Sequence, residues 1–199
     1  MRRVAWVMAL GLVVGCTSDD PPGKISPPRD EGVSAEEPVL EEPAAGAPAA
    51  APVDVGGEPL RAGLGSLEAL GRAVVDGLDA QDAAALRAVA VDEAEYTRLY
   101  PALISHPNMA RLGAGLAWTN QAAESLGDMD RAIREHGGKG YVFVALESTR
   151  SEARPGLVVH REPRLVVRDA QGTELELPIL GTVLEHPRSG TFAVLTYTH

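Results

Sequence analysis

Cys16 is the only cysteine in the 199 residues, so any thiolate chemistry has a single address. A thiolate is a nucleophile and acyl or alkyl acceptor that no other side chain here replaces. A lone cysteine also excludes an intrachain disulfide, so the folded part must stand on its own core. The five histidines are His106, His136, His160, His186 and His199. No two of the first four fall at HxH or HxxxH spacing, and no cysteine stands near them, so neither a metal nor a cofactor is expected. His106 and His186 each precede a proline in an expected loop or turn, and His136 suits the C-terminal end of a helix. His160 alone falls in an expected strand, near Arg161 and Glu162, and reads as a structural or surface residue, so no catalytic residue is expected. No serine has a Gly-x-Ser-x-Gly setting, which leaves nucleophilic acyl transfer without a sequence signal. Gly137-Gly138-Lys139-Gly140 follows a helix and precedes a strand, the reverse of a phosphate loop, and reads as a helix stop. The residues that could line a pocket are Tyr100, Trp118, Tyr141, Phe143 and His160.

The elements that position Cys16 are at the front of the chain. Arg2 and Arg3 precede eleven uncharged residues, Val4 to Val14, and Gly15 stands before the cysteine. Eleven residues rise only ~16 Å as a helix, too short for a ~30 Å hydrocarbon core, so the pattern is that of an exported and processed signal over residues 1–15. Val13-Val14-Gly15-Cys16 resembles a bacterial lipobox. The resemblance implies a diacylglyceryl thioether on Cys16, cleavage before it, and a further acyl chain on the freed amine. At ~0.8 kcal/mol per buried methylene, two or three chains anchor durably where one is marginal. The membrane is then a partner through that lipid. Thr17 in place of an acidic residue after Cys16 implies, by the same resemblance, sorting to the outer membrane of the cell envelope.

Residues 16–60 read as a disordered tether. From Thr17 to Leu60 they hold nine of the fifteen prolines and no aromatic residue, with ten acidic residues against two basic. Such a composition lacks the apolar side chains to offset chain entropy. Forty-four residues reach ~35–40 Å as a coil and up to ~135 Å as polyproline II. Of the net charge of −10, the signal contributes +2 and the tether −8, which leaves −4 for residues 61–199. A mildly acidic domain on an acidic tether is a poor partner for nucleic acid or for anionic lipid headgroups.

Residues 61–199 form one domain of 139 residues, ample for a core. Helical patterns fill it to Gly138 and strand patterns follow, which predicts an α+β fold with helices on one face of an antiparallel sheet. Ser66 caps a first helix with Leu67, Leu70, Val74 and Leu78 on one stripe, and a short second helix starts at Gln81-Asp82. A third opens at Asp92, where Glu95 can reach back in a capping box, and stops before Pro101. The fourth, capped by Asn108, directs Leu112, Leu116, Ala123, Leu126, Met129 and Ile133 inward and ends at Gly137-Gly138. Tyr141 to Leu146 is apolar on both faces, as in a central strand. Leu157 to His160 makes another strand, broken by Pro163. A hairpin joins Arg164–Asp169 to Thr173–Pro178. Its register faces Val167 with Leu175 and Leu165 with Leu177 on the buried side, and Arg168 with Glu174 on the other. A last hairpin joins Ile179–Glu185 to Thr191–Thr198, with Phe192 and Val194 on one face and Leu195 and Tyr197 on the other.

Short helices, a longer one, then strands resemble the NTF2-like (SnoaL-like) cone. Leu78-Asp79-Ala80-Gln81-Asp82-Ala83-Ala84-Ala85-Leu86 is similar to the helical opening of those domains, and Thr191 to Tyr197 to their closing strand. The resemblance implies a pocket between sheet and helices. Two functions follow as expectations. The first is a lipid-anchored, non-catalytic domain binding a small apolar ligand or an envelope protein. The alternative is a tethered SnoaL-like isomerase or dehydratase, which needs an Asp, His or Tyr aimed into the cone.

Overall fold

The computed structural model describes residues 57–104 and 107–198. The signal, Cys16 and the tether up to residue 56 lie outside them. Helix α1 (Leu67–Asp79) starts where Ser66 Oγ accepts the Ala69 N–H at 3.0 Å. Helix α2 (Ala83–Ala88) starts where Asp82 Oδ1 accepts from Ala84 and Ala85. Helix α3 (Glu93–Leu103) starts where Asp92 Oδ1 accepts the Glu95 N–H at 2.7 Å. Each cap satisfies amides that the helix leaves without a carbonyl. Leu60, assigned to the tether by composition, is 3% exposed and belongs to the core.

The helices differ from expectation in three places. Glu95 does not reach back to the Asp92 amide. Its side chain is wholly buried, and its Oε1 accepts the Arg61 N–H at 2.7 Å and an Arg98 guanidinium N–H at 3.3 Å. Pro101 does not end α3. It lies in the last turn, where the donor it lacks would have served Thr97 on an exposed part of the helix, and the Ile104 N–H still reaches the Tyr100 carbonyl at 3.1 Å. The fourth helix, α4 (Pro107–His136), is interrupted at Gly113, whose φ of 74° and ψ of 155° are not helical. Its buried face is also turned from the leucine stripe. Of the residues expected inward, Met129 is buried and Ile133 packs against the core, whereas Ala123 is exposed and Leu112, Leu116 and Leu126 are 45%, 52% and 44% exposed; Ala117 and Ala132 are buried instead. Met129 and Ala132 join the α1 cluster, and Ala117 the α3 cluster.

Seven strands follow: β1 (Val142–Glu147), β2 (Arg150–Arg154), β3 (Leu157–Arg161), β4 (Arg164–Arg168), β5 (Glu174–Leu177), β6 (Leu180–His186) and β7 (Thr191–Tyr197). They form two antiparallel sheets, β1-β4-β5 and β2-β3-β6-β7, in place of one continuous sheet. The chain changes sheet three times, at Ser148-Thr149, at Glu162-Pro163, where Glu162 takes a φ of 48° and proline ends the β3 ladder, and at Pro178-Ile179. The β4–β5 register is the one expected, Leu165 with Leu177, Val167 with Leu175 and Arg168 with Glu174. Leu175 nevertheless stays 37% exposed, because β5 is an edge strand. One strand reading needs correction here, and one strand went unread. Strand β1 is an edge strand, not a central one, with Val142 59% exposed. Strand β2, reading Arg-Ser-Glu-Ala-Arg, has no apolar alternation to reveal it and is held by pairing with β3.

The four-stranded sheet is the middle layer. Val183 and Val194 pack with α1 residues Leu70, Val74 and Leu78 and with Leu165 and Val167 of the other sheet. Leu184 and Ala193, on the opposite face, pack with Tyr96 and Leu99 of α3 and Ala117 of α4. Tyr197 joins the Val194 cluster, not the Leu195 one. The register between β6 and β7 shifts there, leaving Gly181 and Leu195 without partners, and strict alternation fails. The outer rim of β7 is covered by other parts of the chain. Leu64 exchanges two backbone hydrogen bonds with Phe192, and Val89 and Val91 bond the two sides of Val194. Ser125 Oγ of α4 then accepts the Tyr197 N–H at 2.9 Å.

Candidate functional site

Where α4 crosses the end of β7, a cavity of about 240 Å³ opens beside the start of α3. Leu195 and Tyr197 line it from the sheet side, and Trp118, Ala122, Leu126 and Met129 from α4. Ala90 and Val91 close it on the side of the α2–α3 link, with Arg87, Asp92, Glu93 and Ser125 as its polar members. The short side chains at 122 and 125 leave this space open, and the same face of α4 ties itself to β7 through Ser125. Tyr197 is oriented by its hydroxyl, which donates to the Leu86 carbonyl at 2.8 Å. Burial pushes that phenol well above its ordinary range.

Of the aromatic residues singled out in the sequence, Trp118 lines this cavity. Tyr96 stands behind it, with ring centroids 5.3 Å apart, and Tyr100 follows at 5.7 Å from Tyr96. Burial first, and the neighbouring Tyr100 second, raise the Tyr96 phenol above its ordinary value. Tyr100 faces a second hollow of about 190 Å³ with Leu103, Ile104, Gln121 and Arg161. Tyr141 and Phe143 are elsewhere: both pack against the α1 cluster, with the Arg72 guanidinium 5.1 Å from the Phe143 ring centre. The structure therefore brings Tyr100 and Trp118 into one aromatic group and keeps Tyr141 and Phe143 apart from it.

His160 lies in neither hollow. Its side chain is buried in β3, with Nδ1 2.7 Å from Ser148 Oγ and Nε2 2.9 Å from Glu185 Oε2. The Phe192 ring is 6.1 Å away, centre to centre. Ser148 and Glu185 escaped the sequence reading. They are 12 and 25 residues from His160 and meet it only because β1 leads into β2 at one side while β6 pairs on the other. His186, expected in a turn, is instead buried at the end of β6. Its Nδ1 is 2.8 Å from Ser189 Oγ and accepts the Ser189 N–H at 3.3 Å.

Among the described residues no group of three or more His, Cys, Asp and Glu side chains is placed to hold a metal, and no helix is long and apolar enough to cross a membrane. Comparison with protein-family models, with curated proteins and with solved structures finds no match for the chain.

Proposed function

We propose that the protein is an envelope lipoprotein, moored through an acylated Cys16, whose folded domain binds a small apolar ligand in the α4–β7 cavity. The single observation behind the binding role is that cavity: mainly apolar walls with a few polar groups among them, the usual make-up of a small-molecule site. A ~150 Å³ apolar cavity accommodates benzene. By that measure the space between Trp118 and Leu195 suits a ligand of roughly ten non-hydrogen atoms. The lining acids favour binding over a SnoaL-like isomerase or dehydratase. They lie at the start of α3, and Asp92 is already engaged in capping it. The NTF2-like cone is the fold type we assign, on the order of helices before antiparallel strands. The lipid anchor, outer-membrane location and signal over residues 1–15 rest on the residues around Cys16.

Trp118 is the probe for the test, since Trp6 is the only other tryptophan and leaves with the signal in this reading. Titrating the purified domain with small aromatic and short-chain aliphatic compounds should change its Trp118 emission saturably. Ala122→Phe, which fills the cavity from α4, should remove that saturation while leaving the melting temperature within a few degrees. An emission change that stays linear with concentration, or that persists in Ala122→Phe, rejects the cavity as a binding site.

A further inference from the structure

We propose that Ser148 is an acyl-accepting nucleophile, activated by His160 and Glu185, at a site separate from the α4–β7 cavity. The three side chains form a continuous hydrogen-bonded chain, carboxylate to imidazole to hydroxyl, of 2.9 Å and 2.7 Å. An ionised carboxylate only accepts, so the ring proton sits on Nε2 and points at Glu185. Nδ1 is then left with its lone pair facing Ser148, whose hydroxyl donates to it. That is the state a general base needs before it takes a proton from a nucleophile. The ring is turned end for end relative to the familiar serine–histidine–aspartate constellation, but the order of roles is the same.

The supporting elements hold this geometry firmly. His160 and Glu185 sit on the paired strands β3 and β6, with Glu185 opposite Val158, so they are diagonal neighbours on one face. His160 is 7% exposed, so its ring has little room to turn. Ser148 stands in the two-residue link between β1 and β2 and is only half-buried, so a substrate reaches it from outside. Phe192 beside the imidazole supplies an apolar flank. An uncharged carboxylic ester with a small apolar acyl group matches these features.

In the reaction, Ser148 Oγ bonds to the ester carbonyl carbon as its proton passes to Nδ1. The bond from that carbon to the alcohol oxygen then breaks, and the oxygen leaves with the Nδ1 proton. Water repeats the sequence on the acyl-serine: it gives a proton to Nδ1 and bonds to the carbon. The bond to Oγ breaks, and Oγ regains the proton. Ester and water become carboxylic acid and alcohol, with the serine restored.

The test is labelling of the full chain by an alkyl fluorophosphonate, in which Oγ displaces fluoride from phosphorus, read by peptide mass spectrometry. One adduct is expected, on Ser148, and none in Ser148→Ala. Glu185→Gln keeps the size of a partly exposed side chain but lets the ring proton shift, and labelling should slow at least ~10-fold. An unlabelled Ser148 in the wild-type protein overturns the proposal. So does labelling of folded Glu185→Gln at the wild-type rate.

Discussion

Tyr197 donates its hydroxyl to the Leu86 carbonyl and, through its backbone, its N–H to Ser125, so one residue joins β7 to α2 and α4. Tyr197→Phe leaves that buried carbonyl without a donor, and we expect a loss of about 1–2 kcal/mol in urea unfolding. The same phenol sets an alkaline limit. Burial raises its folded pKa above the ordinary ~10, so folding favours the protonated form. The contribution is fully present below pH ~10 and is lost as the pH rises from there towards the higher folded value. Wild-type stability should fall more steeply above pH ~10 than that of Tyr197→Phe, as a pH series of denaturant midpoints would show. Parallel curves would contradict the assignment. Single residues were unequally legible in the sequence. Ser66 and Asp92 announced their caps because a cap is a local contact. Glu95 kept the capping spacing yet turned inward to Arg61, a partner 34 residues away that no local pattern contains.

Helix α1 lies on β1 because residue 71 has no side chain. A Cβ there would overlap the Phe143 ring and stand 3.0 Å from Leu146 Cβ, an atom fixed to the strand itself. Alanine gains about 1 kcal/mol of helix propensity over glycine. Overpacking a filled core costs about 1–3 kcal/mol, and here the strand must shift. We expect Gly71→Ala to destabilise by about 1 kcal/mol net, measurable as a lower urea midpoint; a higher midpoint would show that Phe143 and β1 yield freely. At this scale the sequence conveyed what pairs locally. The β4–β5 register was readable because a slip of one residue would set apolar side chains against charged ones. Strand β2 was not, since it has no apolar alternation, and neither was the rotation of α4. There Ala117 and Ala132 join Met129 on the inner face in place of Leu112, Leu116 and Leu126, which a count of large apolar residues cannot foresee. The α4–β7 cavity depends on that rotation, so only Trp118 hinted at it.

For the molecule as a whole, the acidic residues of 17–60 contrast with the near balance of the folded part. The proposed mooring makes Cys16 the one point of attachment. Cys16→Ser should move the protein from the detergent phase to the aqueous phase on cloud-point partitioning, with the folded domain's melting curve unchanged. Equal partitioning of the two forms would show that something other than acylation holds it at a membrane. The split of the strands into two sheets was not legible in the sequence, because the links at 148–149, 162–163 and 178–179 look like ordinary loops. The rim of β7, already occupied by Leu64, Val89, Val91 and Ser125, has a consequence for crowding. Copies tied to a surface collide far more often than copies in bulk, and an open apolar strand would let them zip into fibres. Here the chain has spent its own backbone as the first visitor at that rim, while β2 meets its neighbours with Arg150 and Glu152. The four-stranded sheet therefore offers a neighbouring copy no open apolar rim.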